Sequence, residues 1–370
     1  MNILMLNYEY PPLGGGAANA CHYILQEYSR RPDIKVDLIT SSPDNRRSMV
    51  RFSKNITIHK LNVHKKEIHV WRMQEIIRWT VSAYLLARKL MKKESYDICH
   101  CWFGWPGGII GYLLRKDIPY IVALRGSDVP GYNPRLAILD SILFRPLSRL
   151  IWKHARAVIA NSDGLKELAH RTSRRPIGVI FNGIDTEEFR PVRRPHKSFV
   201  ILCVSRLIER KGIGYLLKAV SILDDVQVVI IGEGNREEQL KALSRKLFIE
   251  NRVKFLGYVP HHKIRKHYND ADVFVLPSLN EGMSNTLLEA MACGLPLIVT
   301  NTGGTKELIN GNGMIVRKKS VKDLVDSIKK LHDDRKLLGV LGKQSRTLAE
   351  NMSWKKAAES YMELYDDSKK

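Results

Sequence analysis

Two glutamates, Glu281 and Glu289, stand with seven residues between them in the segment LPSLNEGMSNTLLEAMACG, Leu276–Gly294. The apolar run before it reads as a strand ending at Pro277. A loop then carries Glu281, and a helix runs from near Ser284 to Gly294. Glu289 falls about one turn into that helix. Its neighbours Leu287, Leu288, Ala290 and Met291 are apolar, so its carboxylate is at least partly buried and needs partners. A carboxylate accepts through two oxygens, which suits ligand hydroxyls. The helix N-terminus beside it suits a diphosphate. The alternative is a structural glutamate bonded to backbone.

A second anion-binding candidate is Gly14-Gly15-Gly16, between the first strand and the first helix. Its N–H groups and the helix dipole can hold an anion; the alternative is a tight turn without ligand. The dinucleotide fingerprint fails there, because Asn19 stands where its third glycine belongs, which argues against a nicotinamide enzyme. Gly232-Glu233-Gly234 fails similarly at Glu237 and reads as a turn. No metal is expected. Cys99-His100-Cys101 lies in a strand-like run whose alternation separates His100 from the two thiols. Asp270-Ala271-Asp272 sits at a helix-to-strand junction. The five cysteines are scattered through apolar segments and read as reduced core residues of a cytoplasmic protein.

These residues need scaffolds. Strand-like runs alternate with helical ones from Asn2 to Phe181, notably Lys35–Thr40, Tyr120–Leu124 and Ala157–Ala160. A polar, proline-bearing stretch, TEEFRPVRRPHK (Thr186–Lys197), reads as a linker, and the alternation then restarts at Phe199–Val204. The expected fold is α/β: two Rossmann-like, doubly wound parallel-sheet domains facing a cleft. Residues 1–190 form the first domain and 191–352 the second. Residues 353–370 form a last helix crossing back to the first, with Trp354, Ala358, Tyr361 and Leu364 at helical spacing.

The chain has 370 residues, 60 Lys and Arg against 38 Asp and Glu, and a formal charge of +22. Such an excess implies an anionic partner. No helix-turn-helix, zinc-finger or basic-aromatic pattern is present, so a nucleic-acid partner is not expected. No stretch reaches the length of a membrane-spanning helix, and the N-terminus lacks signal-peptide features.

PSLNEGMSNTLLEAMACGLP, with its Glu-x7-Glu spacing, resembles the family-4 retaining glycosyltransferases of the GT-B fold. So do, in the same order as in that family, PPLGGGAANA, RGSDVPG, FNGID, SRLIERKG, YNDADVFVLPS and TGGTKELI. The resemblance spans nearly the whole chain. It implies that Arg206 and Lys211 hold the donor's diphosphate, as two cations on a dianionic leaving group would. It assigns Glu289 to the nucleotide ribose and Glu281 to the donor sugar's hydroxyls, with backbone N–H groups of Gly282 and Met283 nearby. Asn285, Thr286 and Leu287 lie where the family's helix N-terminus meets phosphate, and Gly14, Gly15 and Gly16 match its N-terminal donor loop. The family often has His before the Gly of its H-G-x-D segment; here Arg125 precedes Gly126. Arg cannot act as a general base, yet it can hold a phosphate or carboxylate. Asp128, expected on the acceptor side, can instead pair with Arg125.

The resemblance implies transfer of a sugar, with retention, from a nucleotide-diphosphate sugar to a hydroxyl acceptor, lipid-linked or glycan, in polysaccharide or glycolipid biosynthesis. The alternatives are a nucleotide-sugar epimerase on the same fold and a basic nucleic-acid-binding protein. An anionic membrane surface is a further expected partner. Residues 46–93 hold 13 Lys and Arg but only 2 Asp and Glu. Within them Trp71–Lys93 fits an amphipathic helix. Met73, Ile76, Ile77, Tyr84, Leu90 and Met91 form its apolar arc, and Trp71 and Trp79 are placed at headgroup depth. That reading gives a cytoplasmic enzyme, peripheral on the membrane's cytoplasmic face; the alternative is a helix that simply packs on the sheet.

Overall fold

The computed structural model describes residues 1–68, 71–133, 137–192 and 198–366. The end of the expected linker, residues 193–197, lies outside the described residues. The chain divides into two units: Met1–Asn182 with Trp354–Lys370, and Gly183–Ser353. The division at Asn182 precedes the boundary expected from the sequence, because the start of the linker is folded onto unit 2. Ile184 forms a β-bridge with Ser353, Phe189 is fully buried, and Arg346 donates to the Thr186 and Phe189 carbonyls.

Unit 1 holds the strands β1 (Asn2–Leu6), β2 (Lys35–Ser41), β3 (Ser48–Ser53), β4 (Ile56–Leu61), β5 (Ile98–Trp102), β6 (Tyr120–Leu124), β7 (Ala157–Ala160) and β8 (Gly178–Val179). Their order in the sheet is β3-β4-β2-β1-β5-β6-β7-β8, and only β3 runs antiparallel. The inner strands are continuous apolar runs because helices cover both sheet faces. From β4 to β5, β5 to β6 and β6 to β7 the chain steps the same way along the sheet. Right-handed crossovers therefore put helices Met73–Met91, Gly108–Leu114 and Arg145–His154 on one face. Helix Gly16–Ser29 connects β1 to β2 in the other direction and lies on the opposite face.

The last helix, Trp354–Asp366, packs beside Gly16–Ser29. Trp354 stacks on Tyr23 with centroids 5.0 Å apart, and Tyr361 and Tyr365 are buried in unit 1's core. His100 Nδ1 and the Tyr365 hydroxyl are 2.6 Å apart. The thiols of Cys99 and Cys101 share the other face of β5, 3.7 Å apart. All five cysteines are free and buried.

Helix Met73–Met91 does not present the apolar arc read from the sequence. Trp79 is fully buried, with Ala83 and Ala87 on the same face, so it is a core residue and cannot sit at headgroup depth. Trp71 is half-buried, with the Lys65 ammonium 3.9 Å over its ring. Ile76 is buried, whereas Met73 and Ile77 are exposed. The inward face pairs the large indole with two alanines, and Met73 and Ile77 turn outward on the opposite side.

Unit 2 is a six-stranded, fully parallel sheet of β9 (Phe199–Val204), β10 (Val226–Ile231), β11 (Val253–Phe255), β12 (Val273–Leu276), β13 (Leu297–Thr300) and β14 (Gly313–Val316). Its order is β11-β10-β9-β12-β13-β14. The winding reverses between β9 and β12. In open parallel sheets that switch point, at the carboxyl ends of the strands, is where ligands bind.

Candidate active site

In unit 2 the loops after β9 and β12 meet at the switch point. Gly212 has φ +65°, and a Cβ there would collide with the Pro277 carbonyl oxygen. Only glycine lets the Arg206–Lys211 turn press onto the loop after β12. Leu279 N–H then donates to the Arg210 carbonyl at 2.7 Å. This contact brings Lys211 Nζ onto Glu281 Oε1, an ion pair whose two side chains are only 11% and 8% exposed. The Ser278 hydroxyl donates to the same carboxylate oxygen at 2.9 Å.

The loop is buttressed from β13. Gly304 lies so close to Gly282 and Met283 that a Cβ would strike their backbone. The Thr305 hydroxyl bonds the Thr300 carbonyl at 2.8 Å, and Thr300 donates to the Ser278 carbonyl. Helix Asn285–Ala292 starts where this loop ends. Asn285 and Thr286 are half-exposed at its first turn, while the Leu287 side chain is fully buried. Leu287 N–H turns back to the Ser284 carbonyl at 3.2 Å.

Glu289 is buried, and its partners are side chains rather than backbone. The Tyr268 hydroxyl donates to Oε2 at 2.6 Å, and His261 Nε2 lies 3.3 Å from Oε1. The bond to Glu289 raises the His261 pKa above the ordinary histidine value, against partial burial. Burial, then the charge of Glu289, pushes the Tyr268 phenol well up. Neither His261 nor Tyr268 was singled out by sequence. Their spacing across helix His261–Asn269 puts both on one face, which is the signal that was available. Two acceptor positions on Glu289 are thereby used, and a carboxylate has about four. Arg206 is exposed just beyond β9.

In unit 1 the polar residues singled out by sequence bond to groups of the same unit. Asp128 is buried, and all its hydrogen bonds come from backbone: Arg125 N and Gly126 N on Oδ1 at 2.9 Å, Gly104 N on Oδ2 at 2.6 Å. Burial raises its carboxyl pKa despite these donors. The Arg125–Asp128 contact thus uses the arginine's backbone, not its guanidinium. That group lies 3.9 Å over the Trp102 ring and donates to Asn182 Oδ1 at 3.0 Å and the Tyr361 hydroxyl at 2.9 Å. Gly14, at φ +90°, is where the Glu9 carboxylate fills the space a Cβ would need, and its N–H points to the Ile68 carbonyl at 3.4 Å. Gly15 faces open space and Gly16 opens the helix.

Among the described residues, no group of three His, Cys, Asp or Glu side chains is placed to hold a metal ion. No helix among them is long and apolar enough to cross a membrane.

The family model described as "Glycosyltransferase Family 4" matches residues 14–188, and "Glycosyl transferases group 1" matches residues 185–348. The D-inositol 3-phosphate glycosyltransferase of Corynebacterium jeikeium is 30% identical over 308 residues, 74% of this chain and 73% of that protein. The chain belongs to the family-4 glycosyltransferases. Sucrose-phosphate synthase from Thermosynechococcus elongatus superposes on the glycosyltransferase with a TM-score of 0.87 at 20% identity, covering 99% and 98% of the two chains. Anabaena HepE, solved with UDP-glucose, gives 0.77 at 19% identity over 99% and 100%. Both likenesses bear out the GT-B fold, two parallel-sheet α/β units. The enzyme's two family matches meet within residues 185–188, close to the division between its units.

Proposed function

We propose that this glycosyltransferase moves a sugar from a nucleotide-diphosphate sugar to a hydroxyl acceptor with retained anomeric configuration, giving an α-glycoside. The observation that carries this reading is the nearly buried Lys211–Glu281 pair at the switch point of unit 2, one loop away from the helix bearing Glu289. Lys211 and the exposed Arg206 neutralise the diphosphate as the bond from the anomeric carbon to its oxygen breaks. The acceptor oxygen bonds to that carbon on the same face, and its proton passes to the leaving phosphate. A cation there acts most strongly on the transition state, where the charge grows. Glu281 takes sugar hydroxyls and keeps Lys211 in place, Glu289 takes the ribose, and Asn285 and Thr286 present the first helical turn to phosphate. Arg125 acts from its place on Trp102, holding the β6 loop that carries Asp128 on the acceptor side.

The acceptor in this reading is a lipid-linked molecule or a glycan, and the enzyme attaches peripherally to an anionic membrane on its cytoplasmic face. The basic excess of residues 46–93 supports this. UDP-glucose, the molecule solved with HepE, is a reasonable first donor to try.

A thermal-shift panel of nucleotide diphosphates and their sugars identifies the donor, since a ligand at a hundredfold excess over Kd stabilises by about 2.7 kcal/mol. The anomeric signals of the product, followed by NMR, then decide the stereochemistry; a β-glycoside overturns retention. A sugar product formed from donor alone points to epimerisation instead. Turnover is expected to persist in chelator, because cations of the protein stand at the leaving group. Complete loss restored by magnesium or manganese would refute that.

A further inference from the structure

Helix Met73–Met91 leaves a row of apolar side chains in solvent: Met73, Ile77, Val81 and Leu85 are 50%, 55%, 55% and 62% exposed. They recur every four residues and so form one stripe along the helix. The buried stripe on its other side, with Trp79, already supplies the packing on the sheet, so this second row has no role in the core. A second patch lies further along unit 1. Ile138, Ile142 and Leu143 are 79%, 75% and 50% exposed in the turns before helix Arg145–His154. The two elements share a sheet face, with helix Gly108–Leu114 and its half-exposed Leu113 between them.

The second patch is fixed in position. Asp140 Oδ2 accepts from Gly131 N at 2.7 Å, and Phe144 stacks on Trp105 at 4.8 Å. Gly131 lies in the loop that begins at Arg125, so the patch is tied to the carboxyl end of β6. The first stripe begins at that same edge, since Ile68, shortly before the helix, accepts from Gly14.

Charge selects the occupant. Around the stripe, Arg78, Lys89 and Lys93 are exposed. The helix's one carboxylate, Glu75, is buried against Lys65 at 2.8 Å. Apolar side chains flanked by cations with no exposed carboxylate on the helix fit the anionic headgroups and acyl boundary of a bilayer.

We infer that the outer face of this helical layer in unit 1 docks on an anionic lipid bilayer, inserting both the Met73–Leu85 stripe and the Ile138–Leu143 patch. The inference rests on the membrane-attached reading above and supplies its surface. That surface keeps Met73 and Ile77 of the arc read in the sequence, adds Val81 and Leu85, and excludes Ile76 and Trp79, which are buried. Docked this way, the Gly14 and Arg125 loops lie near the lipid, where the hydroxyl of a lipid-linked acceptor emerges.

The test is flotation of the full chain with phosphatidylcholine vesicles, with and without phosphatidylglycerol, at low and high salt. Co-flotation with the anionic vesicles at low salt, weakened by salt, is expected. Ile77→Glu with Leu85→Glu should cut vesicle binding by about tenfold or more, and Ile142→Glu should weaken it separately. All three positions are exposed, so melting temperature and turnover on a water-soluble acceptor should not change. Absence of flotation at low salt overturns the inference, as does full binding by the double variant. A concentration-dependent dimer of the wild type that the double variant loses overturns it too, since a second copy then covers the face. Turnover on soluble acceptor without flotation leaves the transfer reading intact; flotation without any transfer leaves the docking surface intact.

Discussion

Asp128 in unit 1 and Glu281 in unit 2 are both buried carboxylates in loops at the carboxyl end of an inner parallel strand, yet they meet different partners. Asp128 is held by three backbone N–H groups and raised in pKa by burial. Glu281 meets a lysine ammonium and a serine hydroxyl, both side chains that can exchange partners with a ligand. Arg125 and Lys211 repeat the contrast. Arg125 is locked between Trp102, Asn182 and Tyr361, whereas Lys211 has one counter-ion. In unit 1 the carboxylate is tied to backbone within its own loop and the neighbouring one; in unit 2 it is tied to side chains of two converging loops. Losing a unit 1 residue should therefore show first in stability, and losing a unit 2 residue in turnover.

Lys211→Ala makes the largest test of that contrast. Turnover should fall by about a hundredfold or more while donor affinity, read by titration calorimetry, changes by less than about tenfold. Near-native turnover would remove Lys211 from the chemistry.

Asp128→Ala should instead act on folding, because three N–H groups lose their acceptor. A loss of about 3 kcal/mol in denaturant unfolding is expected, with Asp128→Asn milder because it keeps one acceptor oxygen. A stable Asp128→Ala protein with lost turnover would move Asp128 into the chemistry and break the comparison.

Arg125→Lys keeps the charge but loses the planar stacking on Trp102 and one of two directed bonds. It should cost about 1–2 kcal/mol and lower the melting temperature, with turnover largely retained. Tyr361→Phe should give a smaller loss of the same kind.

The smallest effect is a titration. Glu289→Gln should return the His261 pKa, followed by NMR, toward its ordinary value. In the native protein a raised folded-state pKa means that protonated His261 stabilises the fold below that ordinary value. The contribution is lost as pH rises through the raised one. His261 is partly exposed, so the effect on stability is small. A His261 titration that ignores the substitution would separate the two side chains and leave Glu289 with Tyr268 alone.

Much of this molecule was legible in its sequence because parallel strands covered on both faces must be apolar throughout. FVILCV, VFVL and LIVT therefore announced themselves, and with them the two α/β units. The spacing of Glu281 and Glu289 across a strand, loop and helix was equally local. β3 was missed because an edge strand need not be apolar; Ser48–Ser53 has no buried residue. The face of helix Met73–Met91 was misread because periodicity shows two apolar rows without saying which one a sheet will cover. The tertiary structure alone decided the partners. Lys211 finds Glu281 seventy residues away, His261 and Tyr268 find Glu289, and Arg125 finds Tyr361 at 236 residues' separation. Local sequence sets backbone preference and burial pattern over a few turns. Which distant side chains satisfy a buried charge depends on how loops converge at the ends of packed strands.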